Sequence, residues 1–104
     1  MTFSERVLKI ALSIPKGRVT TYGHLARAAG GGAMAAQSIT NILGKAYVAG
    51  EKKIPFHRIV YANGKIWIDD KHRKDRIALY TKEGIKIDDK DRIENFRDIV
   101  IEFK

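Results

Sequence analysis

The sequence predicts an α+β fold, mainly α, in which a helix-turn-helix is followed by a small β-hairpin. Three observations carry the prediction. Residues 3–13, FSERVLKIALS, place apolar side chains at helical spacing. Gly30-Gly31-Gly32 separates two further short helical stretches. Asn63-Gly64 then lies between two apolar β-like pieces, a tight-turn signal. Helix, turn, helix and hairpin in that order describe a winged helix-turn-helix.

Each element has its own warrant. Phe3, Val7, Ile10 and Ala11 share one face of the first helix, Ser4 is its candidate N-cap, and Ile14-Pro15-Lys16-Gly17 stops it. Arg18-Val19-Thr20 reads as a short β-like piece. Thr20 or Thr21 then caps a second helix, Tyr22 to about Ala29, with Leu25, Ala26 and Ala29 inward. A third helix runs from about Met34 to Leu43, with Ala35, Ile39, Ile42 and Leu43 on one side. Gly44 to Lys53 reads as a loop, and Ile54 to Val60 as an apolar stretch broken by Pro55. Ile66-Trp67-Ile68 is the returning strand of the hairpin. After a polar segment, Arg76 to Lys82 is a helix closed by Glu83-Gly84. Ile85 and Ile87 alternate with lysine as a short strand. In the tail, Ile93 and Phe96 have helical spacing, whereas Ile99-Val100-Ile101 reads as strand. Residues 1–87 are expected to form one winged-helix domain and 88–104 a C-terminal extension of it.

Composition narrows the function. With 104 residues and 44% hydrophobic content, the chain has room for one core and is globular rather than disordered. No apolar run is long enough for a membrane span or a signal peptide, which gives a cytoplasmic expectation. The absence of cysteine excludes disulfides, thiolate metal sites and a Cys nucleophile. The net charge of +8 calls for a polyanion. That charge is uneven: residues 1–82 hold 15 Lys/Arg against 5 Asp/Glu, and residues 83–104 hold 5 against 7. The first segment is therefore the expected binding body, for DNA, RNA or a membrane surface.

The third helix supplies the expected reading face. Met34, Ala36, Gln37, Thr40 and Asn41 point outward and carry no charge. A solvated helix face usually carries Lys and Glu, whereas a face lying against base edges can be small and hydrogen-bonding. The plainer alternative is a helical pair that only packs a core. No metal is expected: Asp69, Asp70 and His72 cluster without a second histidine at i+4. No cofactor is expected either, since Gly30-Gly31-Gly32 lacks the Gly-Lys-Ser/Thr of a phosphate loop.

Taken in chain order, five segments carry a resemblance. They are Ile14-Pro15-Lys16-Gly17-Arg18-Val19-Thr20-Thr21-Tyr22-Gly23, Leu25-Ala26, Ile54-Pro55-Phe56-His57-Arg58-Ile59-Val60, Asn63-Gly64 and Glu83-Gly84. Together they resemble the DNA-binding domain of the O6-alkylguanine-DNA alkyltransferases, whose pattern is IPxGxVxTYG, a helix-turn-helix, IPCHRVV and a closing EG. The match covers roughly residues 3–87. Phe56 stands where that family has its alkyl-accepting cysteine. The chain therefore resembles the alkyltransferase-like proteins, which keep the fold and replace that cysteine. The resemblance implies a non-enzymatic protein that binds double-stranded DNA carrying O6-alkylguanine, flips the damaged base into a pocket and hands it to nucleotide excision repair. Nothing demands more than a monomer.

The resemblance also assigns roles. His57 and Glu83 fall on the relay that would activate a thiolate, but a phenyl ring has no lone pair and no ionisable proton, so no alkyl transfer is expected. Their alternative role is to hydrogen-bond within the fold and fix the turn around them. Phe56 is either an apolar wall of the alkylguanine pocket, which His57 is also expected to line, or a core residue. Tyr22 falls on the tyrosine that presses on the target phosphate, at a helix start that attracts anions, with Thr20 and Thr21 offering further hydroxyls. Its alternative is a buried aromatic. Gln37 falls on the arginine that fills the gap left by the flipped base; a shift of one residue would put Ala36 or Ser38 there. Arg58 is a candidate DNA or pocket contact. Residues 66–75 replace a glycine-rich lid with charged sequence; there Trp67 borders the pocket or belongs to the hairpin core. Lys71, Arg73, Lys74 and Arg76 are phosphate contacts or a solvated helix start. Two other functions compete. One is a sequence-reading winged-helix regulator, which would want Arg or Lys on the third helix. The other is a hydrolase built on His57 and Glu83.

Overall fold

A computed structural model describes residues 1–32 and 34–103. Helix α1 spans Phe3–Leu12. Its cap is Thr2 rather than Ser4: the Thr2 hydroxyl accepts from the Glu5 amide at 3.2 Å, and the Glu5 carboxylate accepts from the Thr2 amide at 3.1 Å. This reciprocal pair outcompetes Ser4 because it satisfies two free amides at once. Strand β1 is Thr20–Thr21, and helix α2 follows directly as Tyr22–Ala28 with Thr21 as its N-cap.

The turn after α2 is tight. Gly31 donates to the Ala26 carbonyl at 2.9 Å. A Cβ at Gly31 would lie 2.4 Å from the Ala35 methyl and 2.8 Å from the Phe3 ring, so only glycine lets the next element close on α1 and α2. That element begins as a 3₁₀ turn, Ala35–Ser38, and continues as helix α3, Ile39–Val48. The helix thus runs past Leu43 into the segment expected to be loop. Ile39 and Leu43 are buried and Ala46 packs beside them, an i, i+4, i+7 stripe that outweighs the roughly 1 kcal/mol cost of a helical glycine at Gly44.

The expected hairpin is corrected. Its turn forms, with the Gly64 amide donating to the Tyr61 carbonyl at 2.9 Å and the Tyr61 amide to the Lys65 carbonyl at 3.0 Å. No antiparallel ladder extends from it among the described residues. Ile66 instead donates to the Asp91 carbonyl at 2.8 Å, and Ile93 donates to the Gly64 carbonyl at 3.0 Å. The tail has taken the returning segment's partner groups. The Phe96 ring seals this arrangement by lying where a side chain at Gly64 would be: a Cβ there would come within 2.9 Å of the ring. The one two-stranded sheet is parallel, pairing β1 with β2, Ile59–Val60, in the register Thr20 to Ile59 and Thr21 to Val60.

Helix α4 spans Arg73–Lys82, starting earlier than Arg76, and α5 is Phe96–Ile99. Ile87 meets Ile93 in a single antiparallel bridge rather than a strand. The strand-like reading of Ile99–Ile101 reduces to one parallel bridge, Val19 to Val100, while the helical spacing at Phe96 gives α5. Val7, Ala11, Ile14, Leu25, Ile39 and Leu43 form one core cluster between α1, α2 and α3. Val19, Val60, Ile66, Tyr80, Ile85 and Ile93 form a second beneath α4 and the tail. The β1–β2 pair lies between them, and both clusters reach it. Among the described residues no helix is long and apolar enough to cross a membrane.

Candidate nucleic-acid interface

The segment after Ile54 faces two ways. Phe56–Arg58 is a single 3₁₀ turn, so successive side chains leave it about 120° apart. Phe56 goes to one side, and His57 and Arg58 go to the other.

On Phe56's side is a cleft of about 510 Å³. Tyr22, Phe56 and Trp67 line it together with Ala36, Gln37 and Thr40 from the 3₁₀ turn and the start of α3. Phe56 is half-buried: its ring meets Tyr47 edge-on at 5.9 Å, and it also packs against the first core cluster. Wall and core are therefore not alternatives for this residue. Tyr22 lies 5.5 Å from the Tyr61 ring, and burial pushes its phenol above the ordinary tyrosine range. Trp67 is 45% exposed and belongs to the cleft rather than a hairpin core. Met34 and Asn41 are exposed beside the cleft without lining it.

The other side is closed. His57 Nε2 lies 2.5 Å from Glu83 Oε2. Arg58 donates to both Glu83 oxygens, at 3.1 Å and 2.9 Å, and to the Ile14 carbonyl at 2.9 Å. Gly17 donates its amide to Glu83 at 2.8 Å. Burial alone would raise the Glu83 carboxyl, whose side chain is 4% exposed, but the Arg58 guanidinium, the Gly17 amide and His57 override it and hold it at about 2. Burial also lowers His57, against the pull of Glu83. The ring is then neutral at pH 7. Because a carboxylate only accepts, Nε2 carries its proton.

Three expectations are corrected by this placement. His57 does not line the cleft; it sits behind Phe56, edge-on to Tyr80 at 5.8 Å. Arg58 spends its donors inside the fold. Thr20 and Thr21 are buried: Thr20 donates its hydroxyl to the Ile101 carbonyl at 2.7 Å, and the Thr21 hydroxyl accepts from the His24 amide at 3.0 Å as the cap of α2. Asp69 and His72 pair with each other at 3.0 Å as a surface turn. Arg73 pairs with Asp91 at 2.6 Å.

The sequence reading missed Tyr61 and assigned Arg76 only to phosphate or solvent, yet both line the cleft. For Tyr61 a signal existed. Ile59 and Tyr61 are two apart in extended chain, which sends both side chains to one face, and Ile59 also lines the cleft. For Arg76 there was none, because the fold of residues 68–72 sets its approach.

Comparisons with known proteins agree with this geometry. Residues 2–85 match the family described as 6-O-methylguanine DNA methyltransferase, DNA binding domain. The chain is 30% identical over 86 residues to a "DNA base-flipping protein" of Escherichia coli K12, the match covering 83% of this chain and 64% of that protein, and the same figures hold for its Shigella flexneri counterpart. The chain thus spans a little under two thirds of the length of these relatives. Among solved structures it resembles S. pombe Atl1, crystallised with damaged DNA containing O6-carboxymethylguanine, at a TM-score of 0.73 and 22% identity over 95% of this chain and 94% of that one. It also resembles a Mycobacterium tuberculosis OGT variant at a TM-score of 0.60 and 28% identity, over 80% of this chain and 48% of that one. With its helix-turn-helix architecture, its cleft beside α3 and the family match over most of its length, the chain belongs to the family of the 6-O-methylguanine DNA methyltransferase DNA-binding domain.

Proposed function

We propose that this chain binds duplex DNA containing O6-alkylguanine, receives the extruded base in the Phe56 cleft, and leaves the alkyl group in place. The observation that carries the reading is Phe56 in the cleft wall of a chain without any cysteine. A flipped nucleotide needs aromatic surface to replace its lost stacking, and Tyr22, Phe56 and Trp67 supply it. Gln37, exposed at the cleft mouth, is placed to enter the gap and hydrogen-bond the orphaned cytosine. The relay of His57 and Glu83 serves the fold here. It locks the turn that presents Phe56, and its proton faces Glu83 rather than the cleft. In the cell the chain would act in the cytoplasm as a monomer and flag the lesion for nucleotide excision repair proteins.

The test is a binding titration at fixed salt with matched duplexes carrying guanine or O6-methylguanine at one position. Tighter binding of the modified duplex, with the methyl label still on DNA after long incubation, supports the reading. Equal binding of both duplexes, or label found on the protein, overturns it.

A further inference from the structure

Met34 is 68% exposed, and among the large apolar side chains described only Met1 and Val48 exceed it. It stands just before the 3₁₀ turn that leads into α3, where its carbonyl accepts from the Gln37 backbone amide at 3.3 Å. The Gln37 side chain points back along the same turn: its Nε2 lies 4.0 Å from Met34 Sδ. That is the one side-chain hydrogen bond Gln37 makes among the described residues. A thioether is a weak acceptor, so the contact orients the amide without holding it. Gln37 lines both the cleft and the groove along the exposed face of α3. Met34 and Gln37 therefore form one projection where cleft and reading face meet, apolar at one tip and polar at the other.

We infer that Met34 is a wedge: its thioether enters the base stack beside Gln37, in the gap that an extruded nucleotide leaves. The inference rests on the base-receiving reading of the cleft. Removing one base leaves its two neighbours about 7 Å apart, twice the ordinary rise per base. Gln37 alone fills that space with a thin amide, which can hydrogen-bond the orphaned cytosine but offers the flanking bases little surface. A methionine side chain is unbranched and polarisable and settles favourably against aromatic rings. Apolar side chains, methionine among them, hold base steps open in proteins that bind the minor groove. On entry the sulfur exchanges its contact with the Gln37 amide for one with a base, and the amide is released to the cytosine. Two side chains then share the gap, one replacing lost stacking and the other lost pairing.

The full chain is titrated at fixed salt against three duplexes that differ at one position opposite cytosine: guanine, O6-methylguanine and a reduced abasic site. The abasic duplex carries the gap ready-made and has no base for the cleft. The wild type is expected to bind it more tightly than the guanine duplex. Met34→Ala should weaken binding to the abasic and O6-methylguanine duplexes by a common factor, about fivefold beyond any change on guanine, the scale of a thioether resting on an aromatic face. Met34→Leu keeps the apolar bulk and should recover most of that loss. Circular dichroism checks that both variants fold, as expected for an exposed side chain. Equal weakening on all three duplexes would make Met34 a general groove contact and overturns the inference. So does undiminished binding of Met34→Ala to the abasic duplex, or a Met34→Leu variant no better than Met34→Ala. A wild type that prefers O6-methylguanine to guanine but is indifferent to the abasic site overturns the inference alone. A wild type that binds O6-methylguanine no better than guanine overturns the base-receiving reading with it.

Discussion

The two sides of the Phe56–Arg58 turn differ in how far their polar groups are satisfied. Behind the turn, the carboxylate of Glu83 gathers His57, Arg58 and the Gly17 amide, and both its oxygens are engaged. In front, Tyr61 and Trp67 are 43% and 45% exposed, and Arg76 has an aromatic neighbour but, among the described residues, no carboxylate at ion-pair distance. A closed network returns its energy to the fold. An open set of rings and donors faces water and is free to exchange it for a ligand. The difference teaches that the His57–Glu83 pair is satisfied within the fold, while the cleft side leaves rings and donors open to solvent.

That division can be broken by substitution. The largest effect is expected from Glu83→Ala, which leaves the half-buried Arg58 guanidinium without its carboxylate; urea unfolding should show a loss of about 3 kcal/mol. The acid limb comes next. The Glu83 carboxyl is held at about 2 against an ordinary 4.5, so its contribution is complete above about pH 5 and disappears as the pH falls from there through 2. The size of that shift corresponds to about 3 kcal/mol lost over the window, and Glu83→Gln should flatten this part of the stability profile. His57, lowered by burial, adds loss of the same sign as it protonates on acidification.

On the open side the readout should change from stability to binding. Tyr22→Ala should weaken binding to O6-methylguanine duplex by about tenfold or more, the scale of one lost aromatic contact to a base, with a preserved circular dichroism spectrum. Normal lesion binding by this variant would remove Tyr22 from the interface. The smallest stability effect is expected from Trp67→Phe, within about 0.5 kcal/mol by urea unfolding, as for other exposed side chains. A large loss there would mean that Trp67 is a core residue and that the two sides are not separable.

Much of the architecture could be read from local pattern. The 3/7/10/11 spacing gave α1, and the threonines before Tyr22 gave the start of α2. The failures share a cause: each was decided by a segment distant in sequence. Asn63-Gly64 does make its turn, but Ile66 then bonds the tail, which no local signal announces. Thr20 looked like a surface hydroxyl because nothing nearby in sequence says that Ile101 will cover it. In the site, Tyr22 and Phe56 were legible through motif order, Gln37 through the same order with one extra residue in the glycine turn, and Trp67 only as one of two alternatives; all four line one cleft. Arg58 was expected as a DNA or pocket contact, and His57 either in the pocket or bonded within the fold, because a motif fixes which residues adjoin and not which way a 3₁₀ turn sends them; the structure takes the internal bond for His57.

The short strand β1 has a bearing on how this protein is made. Val19 donates to the Ile99 carbonyl at 3.1 Å and accepts from the Ile101 amide at 2.8 Å, while Thr20 and Thr21 pair with Ile59 and Val60 on the opposite edge. A ribosome therefore delivers this edge long before it delivers the residues that cover it, and α2 with Tyr22 must wait on a seam that closes only once residue 101 has emerged. Nascent chains stalled short of that point should be open to protease near residue 19, and the same strand becomes protected when synthesis is allowed to finish.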